Sequence, residues 1–413
     1  MSVVDTVVVL NDYCLVQGGA SKVAIDEAVA LAAGGLRVIF LGAVGPVGEA
    51  LRAAPIETVC LDQPELLDIT RHPMVAFQGL YNARARAAIA AVLRRCSPER
   101  TVVHLHGYTK ALSTGPIQTA ARLGFGTVCT LHDFFAACPN GAFYDYRREE
   151  ICRRTALGSD CLSTNCDKRA AAHKAYRVLR SLSQRHVSQF PAVVGDYITL
   201  SQGSADLLRP YLPGAARFHP LENIIETEMA APVEVAANRE LVVVGRLDTE
   251  KGVELAAQVA QAAGLPITFV GEGSLRPVLE AAGAKVTGWV TPAEVRSWLR
   301  RARALVFPSR WYETYGLVVS EAAALGVPAI VSDVSAAAER VEHGVTGWRF
   351  RSGDAADLLQ CLTAATDDAA VKSAGQAAYA RFWSDPPTSE HHVAGLRAIY
   401  DNILARRPLS QAA

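Results

Sequence analysis

The sequence predicts an α/β protein built as two doubly wound parallel-sheet domains, and three observations predict it. Short apolar runs alternate with longer Ala-rich helical stretches along the whole chain, the pattern of parallel strands joined by crossover helices. At 413 residues the chain exceeds what one hydrophobic core ordinarily organises, which gives two domains with a cleft between them. Half of the residues are apolar and a fifth charged, so a packed core can form and a disordered or fibrous chain is excluded.

The strand candidates, in order, are residues 6–10, 37–41, 101–105, 127–131, 197–200, 241–244, 267–270, 304–307 and 329–331. Each is a run of Val, Ile, Leu, Phe or Thr bounded by turn residues. Ala-rich stretches such as 83–95 and 255–263 between them suit helices. The rhythm breaks over 213–240, where Pro213, Gly214, Pro220, Asn223 and Pro232 interrupt it, and the hinge is placed there. The expected domains are therefore 1–222, with an inserted Cys-containing stretch at about 134–170, and 223–385. A last segment, 386–413, carries Leu396, Ile399, Tyr400 and Leu404 at helical spacing and must bury that face.

Forty-one basic and forty-one acidic side chains leave no net charge, which argues against nucleic acid as a partner. Up to Leu221 there are 23 Lys and Arg against 18 Asp and Glu, and beyond it 18 against 23, so the halves differ by sign at about +5 and −5. Met1 leads straight into the first apolar strand without a basic leader, and no run approaches the length of a membrane span. A cytoplasmic protein is expected.

The densest information lies in 306–328, VFPSRWYETYGLVVSEAAALGVP. A buried strand ends at Phe307, and a helix starts near Gly316 and stops at Gly326 before Pro328. Such a junction offers backbone N–H groups and a positive helix end to a phosphate. Glu313 in the loop and Glu321 on the helix flank it, and each carboxylate can accept from two vicinal hydroxyls, one of a sugar and one of a ribose. The plain alternative is two exposed charges with no ligand. Upstream, in LVVVGRLDTEKGVELA, Arg246 follows a strand and Lys251 opens the next helix, two cations placed to neutralise a diphosphate. Pairing of both with Asp248 and Glu250 is the commoner arrangement for such residues. The strand in ITFVGEGSL ends at Gly271, Glu272 and Gly273, and KVTGWV gives another ending near Gly288 and Trp289, where glycine lets a nucleoside approach the backbone.

In the first half, Gly18 and Gly19 open a helix after the first strand and can donate to an anion, although the full dinucleotide fingerprint is missing. The strand in VVHLHGY ends at His104 and His106, and VCTLHDF ends at His132 and Asp133. Ligands of open α/β sheets gather at such carboxyl ends, which favours His106 and His132 as site residues; His104 is expected to be a packed, hydrogen-bonded side chain.

Together these segments resemble the retaining glycosyltransferases of family four, which have the GT-B fold of two Rossmann-like domains. The resemblance rests on ETYGLVVSE with AAALGVPAIVSD, GRLDTEKG, VGEGSLRPVLE, QGGAS, TLHDF and Asn223, and it covers nearly the whole chain. It implies that Arg246 and Lys251 contact the diphosphate of a nucleotide-sugar donor, that Glu321 binds the ribose and that Glu313 holds hydroxyls of the transferred sugar. The backbone around Tyr315, Gly316 and Leu317 would lie near phosphate or sugar, with Gly271 lining the donor site. Gly19 would approach the diphosphate from the first domain, His132 would sit at the reacting centre and His106 on the acceptor side. It also implies no cofactor and no divalent metal, attack from the front face with retention, a final helix crossing back to the first domain, and a glycan or lipid-linked acceptor in cell-surface polysaccharide or glycolipid synthesis. Two other functions fit the same fold: a nucleotide-sugar epimerase or phosphorylase, and a protein that binds a nucleotide sugar without turnover.

Two features stand outside that frame. Cys138, Cys152, Cys161 and Cys166 fall within 29 residues and could hold a structural zinc, pack as thiols or form a disulfide, since paired CxxC spacing is missing. Arg84, Arg86, Arg94, Arg95 and Arg100 on one helical stretch, and Arg177, Arg180 and Arg185 on another, suit peripheral contact with an anionic membrane at the inner face of the cell membrane, or simply a solvated face.

Overall fold

The computed structural model describes residues 3–66, 72 and 74–406. The chain divides into two compact units, one of Met1–Ala142, Arg154–Ile224 and Pro387–Ala413, the other of Phe143–Arg153 and Ile225–Pro386.

The first unit holds a seven-stranded, fully parallel sheet. Its strands are β1 (Thr6–Tyr13), β2 (Arg37–Val44), β3 (Ile56–Cys60), β4 (Thr101–Leu105), β5 (Gly126–Thr130), β6 (Asp196–Thr199) and β7 (Arg217–Pro220). Their spatial order is β3-β2-β1-β4-β5-β6-β7. Chain order reverses between β1 and β4, which opens a crevice at their carboxyl ends. Three helices matter below: α1 (Gly19–Ala33) leaves β1 at that crevice, α2 is Ala171–His186, and α3 (Leu317–Ala324) belongs to the second unit. A fourth, α4 (Ser389–Ala405), packs in the first unit. It buries Val393, Leu396, Ile399, Tyr400, Ile403 and Leu404 in one cluster with Val7, Val9, Ile25, Leu31 and Val102.

The second unit repeats the plan with six parallel strands. They are β8 (Glu240–Val244), β9 (Ile267–Val270), β10 (Lys285–Val286), β11 (Ala302–Phe307), β12 (Ala329–Ser332) and β13 (Gly347–Phe350), in the order β10-β9-β8-β11-β12-β13. The switch here lies between β8 and β11. Their central residues are buried on both faces, which is why residues 241–244 and 304–307 read as continuous apolar runs.

Three expectations need correction. The break at 213–240 is not wholly linker, because β7, with the short polar sequence Arg-Phe-His-Pro, pairs with β6 and extends the first sheet. Residues 143–153, a two-stranded antiparallel hairpin, group with the second unit and not with the run 1–222. Arg177 and Arg180 do not form a solvated face on α2. Arg180 is 4% exposed, donates to the carbonyl of Thr109 and lies over the Phe135 ring, while Arg177 pairs with the buried Asp167 at 3.0 Å. No described helix is long and apolar enough to cross a membrane.

Candidate functional site

In the second unit, the loops that follow β8, β9 and β11 meet backbone to backbone at the switch point. A Cβ on Gly271 would stand 1.9 Å from the carbonyl oxygen of Gly245, one on Gly273 2.4 Å from that of Leu247, and one on Gly252 2.1 Å from that of Pro308. Gly252 is also left-handed, at φ 68°, so its side-chain-free backbone both turns the chain and allows the approach. Cross-loop bonds fix the register, from Leu247 N–H to the Glu272 carbonyl and from Arg310 N–H to the Glu250 carbonyl.

That packing brings Lys251 to Glu313. The Lys251 ammonium is 2.5 Å from Glu313 Oε1, which also accepts from Ser309 Oγ at 2.6 Å and Trp311 Nε1 at 2.9 Å. Burial raises the affinity of Glu313 for a proton, but the Lys251 charge and the three donors outweigh it and hold the carboxyl below its usual range. Among the described residues all three donors go to Oε1, which leaves Oε2 to accept hydroxyls of a ligand. Lys251 is thus paired with Glu313 and not with Asp248 or Glu250. Arg246 does take the commoner arrangement, at 3.0 Å from Asp248 and 3.7 Å from Glu250, with its side chain 61% exposed.

Gly316, left-handed at φ 86°, turns the loop into α3. Tyr315 is buried before it, and Arg340 covers that corner by stacking on the Tyr315 ring and donating to the Tyr315 and Gly316 carbonyls. Leu317 begins α3, and Glu321 is half-buried one turn into it. Arg246, Lys251, Gly271, Glu313, Tyr315, Gly316, Leu317 and Glu321 therefore all lie on the loops and helix start of one switch point. Ser309, Trp311 and Arg340 were not foreseen: the first two lie inside the motif, but nothing in spacing shows that their polar atoms turn onto Glu313.

In the first unit, Gly19 is exposed as the first residue of α1. His106 and His132, at the ends of adjacent β4 and β5, meet through Nδ1 and Nε2 at 2.9 Å. His106 Nε2 faces Oε1 of Glu27 on α1 at 3.2 Å, and Oε2 of Glu27 faces His392 Nε2 of α4 at 3.2 Å. His104 is fully buried, as expected, and contacts Glu27, Tyr400 and Thr130 at 2.8, 2.7 and 2.7 Å. Burial outweighs the Glu27 charge and pulls His104 down to about 4, and burial likewise holds His132 well below the usual histidine range. Burial alone would raise Glu27, yet His104 and His106 hold it well below the carboxylate range. Glu27 was missed in the sequence. Its signal was position: four residues after Val23 and four before Leu31, it falls on the apolar stripe of α1, where a carboxylate must find partners.

None of the nine cysteines, all among the described residues, is joined to another in a disulfide. Cys161 and Cys166 hold the Lys174 ammonium at 3.4 and 3.3 Å, Cys138 lies 3.0 Å from Asn140, and Cys152 is in the hairpin of the second unit.

Comparison with known proteins bears on family and fold. The family model described as "Glycosyl transferases group 1" matches residues 238–368. The chain is 34% identical over 195 residues to the glycogen synthase of Mycobacterium tuberculosis, across 42% of this chain and 46% of the relative. It is 29% identical over 137 residues to the amylovoran biosynthesis glycosyltransferase AmsK of Erwinia amylovora, across 29% and 34%. The matches thus span less than half of each relative. Among solved structures, Anabaena Alr3699/HepE in complex with UDP and glucose superposes with a TM-score of 0.64 at 16% identity, across 96% of this chain and 99% of that one. At that identity the likeness establishes the fold, which is GT-B.

Proposed function

We propose that this chain, with a glycosyl transferases group 1 segment over residues 238–368 of a GT-B fold, is a retaining glycosyltransferase. It moves a sugar from a nucleotide diphosphate sugar to a glycan or lipid-linked acceptor. One observation carries the reading: Lys251, Glu313 and the start of α3 converge at the switch point of the second sheet, where open α/β sheets bind their ligands. In this reading the α3 start, through Tyr315, Gly316 and Leu317, and the cations Lys251 and Arg246 oppose the charge that grows on the leaving diphosphate. Glu313 orients the sugar through Oε2, Glu321 holds the ribose, and Gly271 lets the nucleoside lie against backbone. With two cations and a helix end on the phosphates, no divalent metal is needed.

In the first unit Gly19 offers backbone donors to an anion, and His132 and His106, at the carboxyl ends of β5 and β4, are the candidates to bind acceptor. Attack on the face the diphosphate leaves, with the phosphate taking the acceptor proton, gives retention without a protein nucleophile. The relatives' names, glycogen synthase and amylovoran biosynthesis glycosyltransferase, support polysaccharide synthesis as the setting.

The test is thermal stabilisation by UDP-, GDP- and ADP-sugars without added metal, followed by product analysis with the stabilising donor and candidate glycans. A ligand that binds only the folded state must raise its melting temperature, so one nucleotide series should shift the protein and the shift should vanish in Lys251→Ala. Release of nucleoside diphosphate with a new glycosidic bond completes the case. Release of a sugar phosphate, an epimerised donor, or tight binding with no product would overturn it in favour of a phosphorylase, an epimerase or a sensor.

A further inference from the structure

We propose that the outward face of α2, with the apolar side chains on either side of it, is a docking surface for an anionic lipid bilayer. The inference goes beyond the reading above and uses none of the residues at the switch point.

The polarity of α2 is inverted. Its buried residues are Lys174, Arg180, Ser181 and Gln184, while Leu179 and Leu182 stand 52% and 40% exposed on the opposite side. Ala171, Ala175 and Val178 precede them at spacings of three and four, so an apolar stripe runs along the outside of the helix. The helix cannot roll to bury that stripe, because its other sides are engaged. The Lys174 ammonium holds the sulfurs of Cys161 and Cys166, and Arg180 donates to the Thr109 carbonyl at 3.0 Å. Tyr176 and Ser183 donate to the carbonyls of Ala76 and Leu80 at 2.8 and 2.9 Å, which ties the short helix Val75–Leu80 along one flank.

Both flanks widen the stripe. Phe77 of that short helix is 67% exposed, with Met74 exposed just before it. On the other flank the exposed Leu162 lies across a groove of about 420 Å³ that Ala175, Val178 and Leu182 line from α2. With Val187 at the end of α2, six of the fourteen large apolar side chains exposed among the described residues gather here, and it is such gathering that marks a docking surface.

Charge names the occupant. From Lys168 to Gly195 the chain carries Lys and Arg but no Asp or Glu. Lys174 and Arg180 are buried and Arg177 pairs with Asp167, but Lys168 and Arg169 are exposed ahead of the stripe, His173 and His186 are exposed on the helix, and Arg185 is half-buried near its end. Two copies docked stripe to stripe about a two-fold axis would bring bases to face bases. A bilayer with anionic headgroups accommodates both features, the apolar stripe in its interfacial layer and the bases at its phosphates.

The experiment is flotation of the full chain with vesicles of phosphatidylcholine alone, or of phosphatidylcholine with about 30% phosphatidylglycerol, at an ionic strength of about 0.15 M. The chain should bind the anionic vesicles at least about tenfold more tightly than the neutral ones. Leu179→Ser with Leu182→Ser should weaken that binding at least about tenfold, and so should Lys168→Glu with Arg185→Glu. Leu359→Ser, which changes an exposed apolar residue of the second unit, should leave it unchanged. Melting temperatures show that each variant is folded, and Phe77→Ser takes the place of the leucine pair should that pair fail to fold. No binding to anionic vesicles, equal binding to both kinds, or undiminished binding in a folded stripe variant would overturn the proposal. So would a dimer in solution that the stripe variant dissociates, which would assign the face to a second copy of the chain. The stripe variant keeps every residue of the switch point, so its donor-dependent thermal shift should match that of the wild type. Vesicle binding in a protein that shows no such shift would count against the proposed function and leave the docking surface standing.

Discussion

The Lys251 ammonium and the Glu313 carboxylate stand 2.5 Å apart across 62 residues of sequence, so the cation and the anion of the candidate site are each other's partner. In the proposed function a donor inserts itself into that pair, phosphate toward Lys251 and sugar toward Glu313. Charge develops on the phosphate as the bond breaks, whereas the ribose at Glu321 is bound alike before and during reaction. At saturating donor, Lys251→Ala should therefore lower kcat by about a hundredfold and Glu321→Gln by less than about tenfold, the latter acting chiefly on KM. Steady-state kinetics of the two variants checks this, and equal losses in kcat would refute the roles.

Gly252 and Gly264 have nearly the same left-handed backbone, φ 68° and 65°, but differ in surroundings. A Cβ at Gly264 meets nothing within 4 Å, whereas at Gly252 it meets the Pro308 carbonyl at 2.1 Å. Gly264→Ala should cost about 1 kcal/mol, the strain of the left-handed backbone alone. Gly252→Ala must in addition part the loops that bring Lys251 to Glu313. It should cost more than about 2 kcal/mol and abolish the nucleotide-dependent thermal shift. Denaturant unfolding of both variants, with and without donor, separates the two effects.

Periodicity carried the strands that are buried on both faces, because β1, β4, β8 and β11 each hold a short apolar run, residues 7–10, 102–103, 241–244 and 304–307. It missed the edges. The half-buried β3 and the polar β7 have weak patterns of their own, and sheet pairing decides them. Candidate residues carried by a motif, such as Glu313 and Glu321, were visible in the sequence because loop and helix start lie together in the chain. Partners brought from afar were not: Glu27 and His106 are 79 residues apart, and Glu27 and His392 are 365. Arg180 looked solvated since charge is normally exposed, and only the packed Phe135 and Thr109 carbonyl show otherwise.

If cations and a helix end hold the diphosphate, chelation should be silent. Transfer assayed after EDTA treatment should keep its full rate, and added Mg²⁺ or Mn²⁺ should change it by less than about twofold. Loss of activity restored by a divalent ion would show that Arg246, Lys251 and the α3 start are insufficient for the phosphates.

Asp196 on β6 offers an acid-stability test remote from the site. Its side chain is 4% exposed and accepts from Arg217 of β7 at 2.8 Å, from His219 at 2.7 Å and from Arg406 beyond α4 at 2.6 Å. Burial alone would raise its pKa, but His219, Arg217 and Arg406 bring it down to about 2 from an ordinary 3.8. A carboxyl depressed on folding adds stability that is complete above its unfolded pKa and lost as pH falls toward the folded one, here between about pH 4 and pH 2. The wild type should thus exceed Asp196→Asn by about 2 kcal/mol at pH 7, with the gap closing through that window. Urea unfolding at pH 7, 4 and 3 measures it, and a gap that stayed constant to pH 2 would show that packing, and not the charge of Asp196, ties β6 and β7 to the end of α4.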